Sequence, residues 1–196
     1  VPIIIYQTFR IRSLNCDLEV CKKIARTDFL SGLPNRLALL ESLDTRMNTF
    51  HEYPGTERRA GRSGQQRSRK LAFLLADIDC FKSINDNHGL KAGDEVLQLV
   101  ANAMNDAVRK ADLVGRQGGE EFGILISDQE PEAVMAIAEK VRRAVEAIDT
   151  KYGNHTVSIG VTYTDAYVDP DAFRAAADSA MKQAKCSGRN RVVAAK

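Results

Sequence analysis

Two groups of carboxylates offer the clearest chemistry in this sequence. Asp77 and Asp79 close the apolar run LAFLLADID at 71–79, and Glu120 and Glu121 follow the paired glycines Gly118 and Gly119. Ending a buried strand in unpaired acids is unfavourable, because an ionised carboxylate loses its hydration there. A hard divalent cation removes that cost. Magnesium takes oxygen from one or two carboxylates and completes its shell with phosphate oxygens and water. Pairing with a nearby Lys or Arg, or exposure at the strand end, would explain the same acids, and the carboxylates alone do not decide between these readings. A third feature is Arg109 followed by Asp112, an R-x-x-D spacing that ends shortly before Gly118. An Arg fork can grip a phosphate or a guanine edge. A simple Arg–Asp pair at a helix end has the same spacing.

These residues need elements to hold them. Residues 71–79 form a near-continuous apolar run, which predicts a central strand buried on both faces. Two short strands are predicted at 112–117 and 121–127, joined across Gly118 and Gly119, where glycine accepts a tight turn. A helix is predicted from about 93 to 109, with Leu97, Val100, Met104 and Val108 on one face. Pro131 opens another at a position where its missing N–H costs nothing, and Val134, Ile137, Val141, Val145 and Ile148 give that helix an apolar stripe. Residues 155–163 read as a strand, 170–186 as the last helix and 191–194 as a closing edge strand. Earlier, 28–36 is rich in turn formers and precedes a helix carrying Leu37, Leu40, Leu43 and Met47. Strands alternating with helices around one hairpin predict an α/β (α+β) fold with a mixed central sheet and helices packed on it.

Bulk properties narrow the classes. Hydrophobic residues are 44% and charged residues 28% of the chain, a globular composition. A net charge of +2 is too small to argue for nucleic-acid binding, and none is expected. The four cysteines form no C-x-x-C pair, which predicts reduced thiols. His51, His88 and His155 lack metal-ligand spacing, so zinc is not expected. Residues 55–70 hold six basic residues, one acidic residue and no large apolar one, and are read as a mobile basic insertion. Residues 1–26 read as a leading helix, with Ile11, Leu14, Leu18, Cys21 and Ile24 at helical spacing. An apolar start followed by Arg10, Arg12, Lys22 and Lys23 fits the cytoplasmic end of a membrane anchor. It fits a packed amphipathic helix equally. No apolar run approaches the roughly 20 residues that span a bilayer.

The motifs taken together are more specific. GGEEF at 118–122 stands in order with DFLSGLPNR at 28–36, DIDCFKSIND at 77–86, GDEVL at 93–97, VSIG at 157–160 and AKCSGRNR at 184–191. Over nearly all of 27–194 the chain resembles the GGDEF-domain diguanylate cyclase family, in its GGEEF form. The resemblance implies a GGDEF fold over 27–196: a palm-like mixed sheet of about five strands, as in nucleotidyl cyclases and polymerases, with an added hairpin bearing the signature. It implies condensation of two GTP into cyclic di-GMP, with one GTP held by each domain of a homodimer. Asp77, Glu120 and the Ile78 carbonyl would hold two Mg²⁺ or Mn²⁺ ions per site, and Glu121 would contact metal or the attacking 3′-hydroxyl. Asn85 and Asp94 would read guanine, the main chain at Phe81 and Lys82 would approach the phosphates, and Lys185 and Arg189 would supply charge to them. Arg109 and Asp112, with Arg116, would form an inhibitory cyclic di-GMP site. Leu90 and Lys182 depart from the family's usual His and Tyr, outside the metal and guanine positions.

Three other functions compete: a silent receptor for GTP or cyclic di-GMP, a mononucleotide cyclase, and a structural dimerisation domain. Intact Asp77, Glu120, Glu121, Asn85 and Asp94 argue against the receptor. The expected setting is the cytoplasmic side of a bacterial signalling protein, with any membrane contact made outside this chain.

Overall fold

A computed structural model describes residues 24–52 and 70–195. The predicted leading helix, except its last three residues, and the predicted basic insertion, except Lys70, lie outside the described residues. The described chain runs α1 (Arg36–Glu52), β1 (Leu71–Ile78), α2 (Phe81–His88), α3 (Leu90–Ala107), β2 (Leu113–Gly118), β3 (Glu121–Ser127), α4 (Pro131–Glu146), β4 (Val157–Thr164), α5 (Pro170–Cys186) and β5 (Val192–Ala194). Five strands form one sheet in the order β2-β3-β1-β4-β5. All pairs are antiparallel except β4 with β5.

β1 lies at the centre and is buried along its whole length, so its apolar run is covered on both faces. Side chains alternate across a strand, and the core divides accordingly. Ala72, Leu74, Ala76 and Ile78 meet Val96, Val100 and Met104 of α3 and Val134, Ala138 and Val141 of α4. Leu71, Phe73 and Leu75 meet Leu39, Leu43 and Met47 of α1 and Phe173, Ala177 and Met181 of α5. Asp77 continues this second series, which aims it at α5.

Gly160 of β4 lets α5 settle against the sheet. A methyl group there would lie 2.0 Å from the Ala177 carbonyl oxygen and 2.3 Å from the Met181 amide nitrogen. The helix that carries Lys185 therefore packs backbone against backbone.

Several boundaries differ from those predicted. α2 was not anticipated: its sequence FKSINDNH buries only Phe81 and shows no apolar stripe. The next helix starts at Leu90, directly after Gly89, whose N–H donates to the Asn85 carbonyl at 2.9 Å and closes α2. It ends at Ala107 instead of 109. Arg109 and Asp112 form a turn of their own, with the Asp112 N–H on the Arg109 carbonyl at 2.9 Å. The hairpin turn is shifted by one residue. Gly118 pairs with Glu121, so the turn residues are Gly119 and Glu120, after an irregularity between Arg116 and Gly118. Gly119 takes φ 49°, the left-handed region that favours glycine. β4 runs 157–164 where 155–163 was predicted. No described helix is long and apolar enough to cross a membrane.

Candidate active site

The carboxyl end of β1 and the hairpin turn between β2 and β3 bring the acids together. Asp77 is the register partner of Glu121 across the β1–β3 ladder. The Ile78 N–H donates to the Glu120 carbonyl at 3.3 Å, fixing the turn beside the strand end. Asp77 is 5% exposed. The Lys185 ammonium of α5 stands 2.7 Å from its Oδ1 as an ion pair. That oxygen still has no hydrogen bond of good direction, so the contact is one of charge.

Three carboxyl groups here are pushed above the ordinary carboxylate range. For Asp77 the main cause is burial, reinforced by Asp79 and opposed by Lys185. For Glu120 it is burial, then the charge of Asp77, with Glu121 adding and Lys185 opposing. For Glu121 it is burial, then Asp77 and Asp178, opposed by Lys185 and Arg36. Lys185, with Arg36 acting on Glu121, does not neutralise this concentration of negative charge. A buried, undirected oxygen beside crowded acids is the environment a divalent cation would relieve. No group of three or more His, Cys, Asp or Glu side chains among the described residues encloses a metal unaided. Magnesium does not require such a cage, because substrate phosphates commonly supply its remaining ligands. The donor set fits.

Asp79 plays a different part from its neighbour. It accepts hydrogen bonds from Thr156 Oγ1 at 2.7 Å, Ser158 Oγ at 2.7 Å and the Asn190 N–H at 3.0 Å. The motif places it in the acidic cluster, but its acceptors are occupied and it ties β1 to β4 and to the α5–β5 turn.

The turn after Asp79 leads into α2. Cys80 adopts φ 56°, and no side chain caps the helix. The first-turn amides at Phe81 and Lys82 thus begin a helix beside the carboxylates, an arrangement suited to an anion. Asn85 on α2 lies against α3 because residue 93, the chain neighbour of Asp94, is glycine. A methyl group at 93 would fall 2.0 Å from Asn85 Oδ1. Asp94 is exposed, as are Lys82 and Arg189, whereas Phe81 is buried.

Arg116 and Asp28 buttress the signature turn, a role that sequence reasoning missed. Arg116 donates to the Gly119 carbonyl through Nε at 3.0 Å and Nη2 at 2.7 Å, and through Nη1 to Asp28 Oδ1 at 3.1 Å. Asp28 also accepts the Ser31 N–H and hydroxyl at 2.8 and 2.7 Å. The structure does not bring Arg116 to Arg109. Arg109 instead forks onto Asp112, Nε to Oδ2 at 3.0 Å and Nη2 to Oδ1 at 2.7 Å, and Nη2 also reaches the Ser127 carbonyl at 3.1 Å. This is the Arg–Asp pair that the spacing also allowed. Its guanidinium is 45% exposed while the Asp112 side chain is fully buried. Arg46 of α1 lies nearby, bonded to Ser127 Oγ at 2.6 Å.

Comparison with known proteins identifies the family. The pattern defining the family "Diguanylate cyclase, GGDEF domain" matches residues 25–191. The response regulator PleD of Caulobacter vibrioides is 38% identical over 187 residues, 92% of this chain and 38% of PleD. Diguanylate cyclase A of Treponema denticola is 40% identical over 139 residues, 68% of this chain and 38% of that protein. The chain thus spans less than two fifths of these relatives. Among solved structures, the coiled coil and GGDEF domain of DgcB from Caulobacter crescentus, in complex with c-di-GMP, superposes with TM-score 0.83 at 28% identity. It covers 96% of this chain and 95% of that one.

Proposed function

The chain belongs to the GGDEF-domain diguanylate cyclase family, and on that premise we propose that it condenses two GTP molecules into cyclic di-GMP and two pyrophosphates. One observation carries this reading: Asp77, Glu120 and Glu121 converge at the end of the central strand with too little positive charge to neutralise them. After Asp77 in the chain come an uncapped helix start at Phe81 and, on the same helix, Asn85 packed against Gly93.

Asp77, Glu120 and the Ile78 carbonyl are the groups that would hold Mg²⁺ or Mn²⁺, two per site. When bound, the ions supply charge neutralisation at the α-phosphate and favour ionisation of the 3′-hydroxyl. The protein's share is positioning. Asp94 accepts guanine N1–H and N2–H, and the Asn85 amide serves another edge of the base. The amides at Phe81 and Lys82 receive the phosphates, and Lys185 and Arg189 add charge there. The 3′-oxygen of one GTP bonds to the α-phosphorus of the other as the bond to pyrophosphate breaks. Glu121 is assigned to the 3′-hydroxyl and its proton. Two such steps, one at each of two facing domains, close the ring, so the active species is a homodimer. Arg109 and Asp112 supply a feedback site for the product. Cyclic di-GMP bound to DgcB supports this ligand class.

The test is Glu120→Gln assayed with GTP and magnesium. The reading expects loss of cyclic di-GMP formation by at least about a hundredfold, in line with removal of one charge-stabilising group from an active site. Undiminished activity would contradict the metal assignment. GTP binding without any product in the unmodified dimer would favour a silent receptor.

A further inference from the structure

Two consecutive residues with side chains, Arg189 (φ 61°) and Asn190 (φ 46°), adopt the left-handed conformation between α5 and β5. Such backbone persists only where its surroundings over-determine it. Asn190 is gripped on three sides. Its N–H donates to Asp79 Oδ2 at 3.0 Å. Its side-chain oxygen accepts from Arg142 Nη1 at 2.6 Å, and its amide nitrogen donates to Glu146 Oε1 at 2.6 Å. Arg142 is itself held on α4, by Glu139 and Glu146 at 2.9 Å each. The neighbouring Arg189 has its backbone tied, N–H to the Ala184 carbonyl at 3.1 Å and carbonyl to Arg191 Nε at 2.9 Å, while the residue itself is exposed. The same turn follows the last turn of α5, from which Lys185 reaches Asp77 at 2.7 Å.

We propose that Asn190, clamped between Asp79 and the Arg142–Glu146 pair, is a positioning residue that presents Arg189 and Lys185 to the triphosphate. The proposal rests on the functional reading above and deepens it. One strand end then serves two purposes: Asp77 faces the reacting phosphates, and Asp79 fixes the turn that carries Arg189, directly after the helix end that carries Lys185. Since a pre-set charge is lost when its support loosens, the effect belongs to nucleotide binding and not to the chemical step.

The test measures equilibrium binding of 3′-deoxy-GTP with magnesium, a probe that cannot be condensed because it lacks the attacking hydroxyl. Asn190→Gly keeps the left-handed backbone accessible and removes only the side-chain grips. It is expected to weaken binding about tenfold, comparable with losing one charge-assisted hydrogen bond. Arg189→Ala is expected to do the same, and the double variant to be no more than about twofold worse than either, because the two act as one unit. Arg142→Met, on α4 and outside the turn, is expected to weaken binding in the same direction with unchanged circular dichroism. Full additivity of Asn190→Gly and Arg189→Ala would overturn the proposal. So would unchanged affinity in both Asn190→Gly and Arg142→Met. An unmodified chain that binds no 3′-deoxy-GTP and makes no cyclic di-GMP would overturn the functional reading, and this proposal with it.

Discussion

At the scale of the residue, the account turns on carboxyl groups held above their ordinary range mainly by burial. The sign of the pH dependence follows. A group whose folded pKa is raised favours folding most below its unfolded pKa, and that contribution is lost as pH rises through the folded value. Without metal, Asp77, Glu120 and Glu121 should therefore contribute most in acid and progressively less from the carboxylate range upward. Metal binding needs the same groups ionised, so magnesium should raise the melting temperature more as pH increases. Melting curves with and without magnesium between about pH 4 and 8 check this; a magnesium effect independent of pH would contradict it. For the proposed feedback site, Arg109→Ala should raise the inhibition constant for cyclic di-GMP about tenfold, since it removes a charged fork. Unchanged inhibition would remove Arg109 from that role. Asp77, Glu120 and Glu121 were legible in the sequence because a signature and a strand end marked them. Asp79 was marked in the same way and turned out to be a tie. Its partners Thr156, Ser158 and Asn190 lie 77 or more residues away, and only the sheet brings them to it.

At the scale of the element, the site depends on how closely α5 approaches β4. A Gly160→Ala methyl would meet the α5 backbone, which cannot move as a side-chain tip can. Overpacking of this kind costs about 1–3 kcal/mol. Denaturant unfolding should show a loss in that range, together with weaker GTP binding because Lys185 moves with the helix. Stability equal to that of the unmodified chain would refute the packing argument. Long, strongly patterned elements such as β1, α4 and α5 were readable because one buried stripe or run dominates each. α2 was not, since it buries one residue and is held by its neighbours. The shifted hairpin turn escaped for a related reason. Two adjacent glycines permit either turn, and the irregularity after Arg116, with its fork on the Gly119 carbonyl, selects the one that places Glu120 at the tip.

At the scale of the whole molecule, the residues proposed for the site are carried by five segments. Asp77 arrives on β1, Glu120 and Glu121 on the hairpin, Asn85 and Asp94 on the α2–α3 pair, and Lys185 and Arg189 at the end of α5. Alternating strands and helices in the sequence pointed to a mixed sheet. The strand order β2-β3-β1-β4-β5, which puts the strand of Asp77 between the hairpin and β4, needed the structure. On the proposed reading one domain binds one GTP, whereas cyclic di-GMP needs two GTP molecules attacking each other. The most direct measurement is incubation of the purified chain with GTP and magnesium over a series of protein concentrations, with products identified by chromatography and mass. The account predicts cyclic di-GMP and pyrophosphate, formed at a rate per domain that rises with concentration as domains pair. A monocyclic product, or no product from a proven dimer that binds GTP, would contradict it.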